Sequence, residues 1–252
     1  MKKKQYNTCI FDLYGTLVDI HTDENKNEVW EKLSYFYKFY GADYKPLELK
    51  QSYETIVAEM SKGVQQIRKD SHEAYPEIQI EQVFKQLFKE KNVLVNNEMA
   101  IHVAQFFRIL STDYIKLYHG TIEMLEAIRK SGKNIYLLSN AQRVFTQYEM
   151  NALGITKYFD GIFISSDYNC KKPDERFFKE LLKEYSIIPE DAIMIGNDGI
   201  CDILGAKKLG LSTLYVHSNL SPKEEGVRAD IVLSSMDMEK MTECLLEKGI
   251  DE

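Results

Sequence analysis

Cysteine is scarce. The four present, Cys9, Cys170, Cys201 and Cys244, lie far apart and show no CxxC spacing. They argue against a disulfide framework and read as reduced thiols of a cytoplasmic protein. Long apolar runs are missing too. None approaches the roughly 20 residues that a membrane span needs. The run behind the basic start Met1-Lys2-Lys3-Lys4-Gln5 is broken by Asp12, which argues against a signal peptide. Basic charge is not in excess: 32 basic against 39 acidic residues leave a net charge of −7. That balance argues against nucleic acid or an anionic membrane as partner. Low-complexity segments and internal repeats are absent. What remains is a chain of 252 residues, 44% hydrophobic, long enough for one large domain or a core with a smaller companion.

One stretch organises the rest, Thr8-Cys9-Ile10-Phe11-Asp12-Leu13-Tyr14-Gly15-Thr16-Leu17. A short apolar run of strand character ends on a carboxylate, and a Gly-Thr turn follows. A strand stopping at Asp12 puts that side chain at the carboxyl edge of a sheet, where open α/β sheets bind ligands. A carboxylate there serves as a nucleophile or a metal ligand. Its plainer reading is a cap for the next element.

From Asp19 to Asp113 the spacing is helical. Val29, Leu33, Phe36 and Tyr40 make one stripe. Leu49, Tyr53, Ile56, Val57, Met60 and Val64 make a second. Val83, Phe84, Leu87 and Phe88 suggest a third helix, and Ile101 to Ile109 a fourth. Breaks fall at Gly41, Pro46, 70–76 and Asn96-Asn97. Residues 19–113 therefore read as an all-helical insertion. After His119 the pattern alternates. Strands are expected at 134–138, 161–164, 192–195, 212–216 and 231–233. Helices are expected near 122–131, 144–153, 173–185, 203–209 and 236–248. Alternation of this kind means an α/β fold: a Rossmann-like parallel sheet with crossover helices, formed by 1–18 and 114–252.

Polar residues gather at four strand ends. They are Asp12 with Tyr14 and Thr16, Ser139-Asn140, Lys172 in Lys171-Lys172-Pro173-Asp174, and Asp198 with Asp202. Parallel strands point their carboxyl ends one way, so these groups can converge. Neighbouring carboxylates need a cation, and oxygen ligands suit Mg²⁺. A serine hydroxyl, a lysine and free amides suit a phosphoryl group. The set reads as metal-assisted attack on phosphorus with Asp12 as nucleophile. Singly, each has a plainer reading: a strand-to-helix cap for Ser139-Asn140, a solvated loop lysine for Lys172, helix N-terminal acids for Asp198 and Asp202.

In order and together, these motifs resemble the haloacid dehalogenase-like (HAD) hydrolase superfamily. Phe11-Asp12-Leu13-Tyr14-Gly15-Thr16-Leu17 is similar to its first motif, and Leu138-Ser139-Asn140 to its second. Lys172-Pro173-Asp174 is similar to its third. Its fourth is similar to Ile195-Gly196-Asn197-Asp198 through Asp202 and Gly205-Ala206. The helical insertion sits where that family carries a cap. The resemblance implies Asp12 as nucleophile and Mg²⁺ held by Asp12, the Tyr14 backbone carbonyl and an acid of 198–202. It implies Ser139 holding the transferred group and Lys172 steadying the charge, with Thr16 and Asn140 near the substrate. The implied substrate is a small phosphorylated molecule.

Two positions depart from the pattern. Phosphatases of the family usually carry an acid–base aspartate where this chain has Tyr14, and often an acid at Asn197. Tyrosine at that position resembles the 2-haloacid dehalogenases, which need no acid because a halide leaves without a proton; they also use no metal, and their fourth motif has serine and asparagine rather than paired acids. Those enzymes also carry an early cap arginine, and here residues 19–67 contain none; the first is Arg68. Three readings therefore stand: a phosphatase, a dehalogenase, or a weakly catalytic metabolite-binding protein. Among other residues, His21 and Arg143 can meet a substrate but suit a loop and a helix surface. The run Tyr35–Tyr40 can line a pocket but suits a core. Cys170 and Cys201 lack an activating partner in the sequence.

Overall fold

In the computed structural model, every residue of Thr8–Phe11 (β1) is buried. A strand apolar on both faces suits the middle of a parallel sheet, where helices cover each side. The structure describes residues 6–67, 77–223 and 227–246. A tight loop leads from β1 into Val18–Thr22 (β2). Four helices follow, Asn27–Phe39 (α1), Pro46–Ile67 (α2), Ile80–Glu90 (α3) and Asn97–Ser111 (α4), then Thr112–Leu117 (β3). Next come Thr121–Lys130 (α5), Asn134–Ser139 (β4), Arg143–Ala152 (α6), Gly161–Ile164 (β5), Ser165–Tyr168 (α7) and Glu175–Glu184 (α8). Ala192–Gly196 (β6), Gly205–Lys207 (α9), Ser212–Val216 (β7), Ile231–Leu233 (β8) and Met238–Leu246 (α10) complete the order.

Six strands form one sheet in the order β5-β4-β1-β6-β7-β8, and all neighbours are parallel. This is the α/β architecture that the alternation predicts. The chain winds from β1 outward through β4 to β5, then crosses back to β6 on the other side of β1. Such a reversal leaves a crevice at the carboxyl ends of the two inner strands. Asp12 follows β1 there, and Asn197-Asp198 follows β6.

The helical block has its own core, in which Leu33, Tyr37, Phe84, Phe88 and Phe107 are buried. Its helices form where apolar residues recur on one face: Val83, Phe84, Leu87 and Phe88 of α3 are all buried. The Asn96 side chain accepts the Met99 N–H and starts α4. Phe145 of α6 joins the same cluster, so the block rests on the helix that follows Ser139.

Residues 19–113 are not helical throughout, as the spacing had suggested. β2 and β3 pair antiparallel, Ile20 opposite Ile115, with a register shift at His21/Thr22. The alternation Val18-Asp19-Ile20-His21 is a strand signal of period two. His21 therefore lies on a strand rather than in a loop, with its ring 2.8 Å from an Asp113 oxygen. The helix expected at 203–209 starts earlier, as a π-helical turn Gly199–Leu204 before α9. The break at 70–76, the Val64 side chain, Arg68 and the chain after 246 lie outside the described residues. Among the described residues, no helix is long and apolar enough to cross a membrane.

Candidate active site

The Asp12 N–H still donates to the Ile195 carbonyl at 2.9 Å, so the sheet holds Asp12 in place. The chain then turns sharply. Leu17 and Val18 both return their N–H groups to the Leu13 carbonyl, at 2.8 and 2.9 Å. Gly15 sits in this loop at φ 84°. A side chain there would be strained and would collide with Asn197, whose Nδ2 stands 2.3 Å from where a Cβ would be.

Lys172 is the hub of the site. Its side chain is 1% exposed, so it is not the solvated loop residue of its plainer reading. Nζ donates to Asp12 Oδ1 at 2.7 Å and to the Leu138 carbonyl at 2.6 Å. It also stands 2.7 Å from Asp202 Oδ1. An ammonium has three donors, and here three chain segments meet them. Burial works against its charge, but Asp12 and Asp202 outweigh burial and hold its pKa above the ordinary lysine value. The Asn140 side chain fixes the Lys172 backbone from both sides. It accepts the Lys172 N–H at 2.8 Å and donates to the Lys172 carbonyl at 2.9 Å.

Asp202 is buried, and its two oxygens differ. Oδ1 faces Lys172, and Oδ2 accepts the Asp198 N–H at 3.0 Å. Burial raises its carboxyl pKa, Lys172 opposes the shift, and Asp12 adds to it. Asp198 is half-buried. Its Oδ1 caps the π-helical turn by accepting the N–H groups of Ile200 and Cys201, at 2.9 and 2.7 Å. The Thr16 hydroxyl lies 3.3 Å from both Asp12 Oδ2 and Asn197 Oδ1. Ser139 Oγ is buried and, among the described residues, makes no hydrogen bond. A buried hydroxyl of that kind calls for a ligand or water.

Asp12, Tyr14, Asn140, Lys172, Asn197, Asp198 and Asp202 are among the residues that line one cleft of about 160 Å³. Ser139 and Thr16 stand behind its wall. The expected residues thus converge on one place. Their surroundings hold three carboxyl groups against one ammonium, which leaves room for a cation. Among the described residues no cluster of three or more His, Cys, Asp and Glu side chains forms a metal cage. Magnesium asks for less: one or two carboxylates, with water and substrate oxygens completing the shell. Asp12 and Asp198 supply two hard oxygen donors on that cleft, and the donor set fits Mg²⁺. Asp202 lines the cleft as well: its Oδ2 accepts a backbone amide, while its Oδ1 faces Lys172 and makes no hydrogen bond among the described residues.

Tyr14 differs from a residue poised over the reaction. Its hydroxyl donates to Glu149 Oε2 and lies 3.0 Å from Thr146 Oγ1. Burial, then the Glu149 charge, pushes its pKa up from the ordinary tyrosine value. Arg108 closes the group, with Nε donating to Glu149 Oε1 at 2.6 Å. Neither Glu149 nor Arg108 stands out from the motifs. The available signal is a charged residue, Glu149, one turn after the buried Phe145 on the inner face of α6. Arg143 is committed to Asp167, at 2.5 and 2.8 Å, and to the Ile162 carbonyl. In the run Tyr35–Tyr40, Tyr37 is buried whereas Tyr35 and Phe39 are exposed. The Cys201 thiol is pushed up to about 12, mainly by burial and then by Asp198, which leaves it unreactive.

Residues 6–210 match the family described as haloacid dehalogenase-like hydrolase. A segment of 110 residues is 30% identical to glyceraldehyde 3-phosphate phosphatase of Methanothermobacter thermautotrophicus, covering 44% of this chain and 49% of that protein. A segment of 115 residues is 27% identical to phosphoserine phosphatase of Thermus thermophilus, covering 46% of this chain and 45% of that one. The match spans about half the length of these curated relatives. Two solved structures share the fold across nearly the whole chain. A 2-haloacid dehalogenase from Pseudomonas syringae pv. Tomato superposes with a TM-score of 0.62 at 16% identity, over 96% of this chain and 98% of that one. A HAD phosphatase from Thermococcus onnurineus gives 0.54 at 18% identity, over 97% and 100%.

Proposed function

The chain belongs to the haloacid dehalogenase-like hydrolase family, and we propose that it is a magnesium-dependent phosphatase of a small phosphorylated metabolite. The observation that carries this reading is the buried Lys172 ammonium against Asp12, with the unpartnered Ser139 hydroxyl at the end of the next strand. The printed names of the matched relatives, glyceraldehyde 3-phosphate phosphatase and phosphoserine phosphatase, fit a small phosphate monoester.

In this reading Asp12 Oδ1 is held by Lys172, and Oδ2 attacks phosphorus. The P–O bond to the leaving oxygen breaks as the aspartyl-phosphate forms, and that oxygen takes its proton from water. A second water then attacks the same phosphorus, gives up a proton to solvent, releases phosphate and restores the Asp12 carboxylate. Ser139 and Lys172 hold the phosphoryl oxygens. Asp12, Asp198 and the Tyr14 backbone carbonyl would hold Mg²⁺, which when bound offsets the charge of carboxylates and phosphate. Asp202 keeps Lys172 in place. The helical block 19–113 acts as the cap that excludes bulk water and selects the substrate. The Tyr14 hydroxyl does not protonate the leaving group, because Glu149 holds it and its pKa is raised. Substrates with acidic leaving groups are therefore favoured.

Tyr14 itself favours a second reading, metal-free dehalogenation by Asp12. Against it stand Asp198 on the cleft and the absence of arginine from 19 to 67. Phosphate release from an aryl and an alkyl phosphate, with and without Mg²⁺, tests the proposal beside chloride release from 2-chloropropionate. Mg²⁺-dependent phosphate release, faster on the aryl ester, is expected. Chloride release without metal would replace the phosphatase reading with the dehalogenase one. Silence on all three would favour a metabolite-binding protein.

A further inference from the structure

We infer that Arg108 and Glu149 are positioning residues for the reaction at Asp12: they anchor Tyr14, and Tyr14 anchors the loop that follows the nucleophile. Three distant segments meet in this group. Tyr14 lies two residues after Asp12, Glu149 is on α6 of the core, and Arg108 is on α4 of the helical block. The Glu149 carboxylate is buried and accepts the Tyr14 hydroxyl on Oε2. Arg108 meets both Glu149 oxygens, at 2.6 and 3.4 Å. Its guanidinium also lies 5.8 Å from the Tyr14 ring centre and 5.2 Å from that of Phe145.

A buried carboxylate without a cation is costly, so Glu149 can hold Tyr14 only while Arg108 is in place. The loop closes on itself through backbone bonds to Leu13 and Val18, and the Tyr14 side chain adds its tie to α6. With the Tyr14 ring held there, movement of its backbone and carbonyl beside Asp12 is restrained. That carbonyl is a metal ligand in the proposed function, and this part of the inference rests on that reading. Tyr14 lines the acidic cleft. Arg108 and Glu149 line a separate, mostly apolar cavity of about 360 Å³, and the two cavities share no lining residue. Arg108 and Glu149 therefore act on the reaction through Tyr14 rather than by touching the substrate.

Four single variants of the full chain test this: Tyr14→Phe, Glu149→Ala, Arg108→Ala and Arg108→Lys, with the double variant Tyr14→Phe/Glu149→Ala. Three quantities are read: amide hydrogen exchange over residues 13–18, Mg²⁺ affinity by calorimetry, and kcat and KM on p-nitrophenyl phosphate. Tyr14→Phe, Glu149→Ala and Arg108→Ala are expected to speed exchange in the loop. They should weaken Mg²⁺ binding and lower kcat about ten- to a hundredfold, with KM nearly unchanged. The double variant should fall no further than the worse single, because both changes break one chain of contacts. Arg108→Lys should recover part of the loss. Unchanged exchange, unchanged Mg²⁺ affinity, or losses that multiply in the double variant would overturn the inference. If Glu149→Ala fails to fold, Glu149→Gln and Tyr14→Phe, which change few atoms, carry the same expectations. A wild-type chain that neither binds Mg²⁺ nor releases phosphate would sink the proposed function, and hydrogen exchange alone would still decide whether this group holds the loop.

Discussion

Replacing Lys172 with methionine removes the ammonium between Asp12 and Asp202 and leaves a chain of similar volume in its place. The side chains of Lys172, Asp12 and Asp202 are 1%, 10% and 1% exposed, so water does little to screen the loss. Breaking a buried ion pair by removing one partner costs about 3–5 kcal/mol. For a chain of this size that is about 2–4 °C per kcal/mol, or about 6–20 °C in Tm. The loss depends on pH, with a definite sign. Burial and the neighbouring Asp12 raise the Asp202 carboxyl above its unfolded value of about 3.9, and without Lys172 nothing opposes that rise. A raised group leaves stability intact below the unfolded pKa and removes it as pH rises through the folded one. Thermal unfolding at about pH 5 and about pH 8 should therefore show the smaller deficit at the lower pH. Adding Asp202→Asn to Lys172→Met should restore part of the deficit at the higher pH. A deficit of equal size at both values, or no deficit, would refute the argument that charge burial is what Lys172 relieves.

Other expectations follow from the same contacts. Tyr14→Asp replaces the phenol with a shorter carboxyl that no longer reaches Glu149 and can donate a proton on the cleft. It should raise the alkyl-to-aryl ratio of kcat/KM on phosphate esters by up to about 10²-fold, measured by phosphate release. Gly15→Ala puts a Cβ 2.3 Å from Asn197 Nδ2 at a positive φ, and should lower both Tm and turnover. Gly196→Ala puts a Cβ 2.1 Å from Asp202 Oδ2 and should destabilise the fold by about 1–3 kcal/mol in urea titration. Burial works against the charge of the Asp230 carboxyl, but Lys207 and Thr213 outweigh it and hold the pKa below the ordinary value. Its contribution is present above about pH 3.9 and is lost as pH falls through the lower folded value. The Tm gap between wild type and Asp230→Asn should close over that range.

The sheet was legible because β1, β4 and β6 are short apolar runs ending in polar residues, and that pattern has few other solutions. Asp12 and Ser139 were legible for the same reason, since each stands at or just past a strand end on one edge, whereas Lys172 follows α7 and Asp202 sits within the π-helical turn, so only their place in the motif order marked them. The antiparallel pair β2 and β3 was hidden by the helical residues around it, although Val18-Asp19-Ile20-His21 alternates as a strand does. The partners of Tyr14 were not legible. Glu149 and Arg108 are ordinary helix residues in the sequence, and tertiary packing alone turns both toward Tyr14. Asn140, expected near substrate, lines the cleft, and its side chain also clamps the Lys172 backbone, a contact across 32 residues that no local pattern announces. Asp198 and Asp202 look alike in the sequence, but Asp198 caps the π-helical turn while Asp202 faces Lys172.

In the proposed reaction Asp12 is the nucleophile that takes the phosphoryl group. Acid quenching of the enzyme during turnover of p-nitrophenyl phosphate with Mg²⁺, followed by mass spectrometry of the peptide carrying Asp12, reads this directly. The account predicts a phosphoryl group on Asp12 that is absent without Mg²⁺ and absent in Asp12→Asn. Continued turnover with that peptide unmodified, or an ester on Asp12 formed from 2-chloropropionate instead, would contradict it.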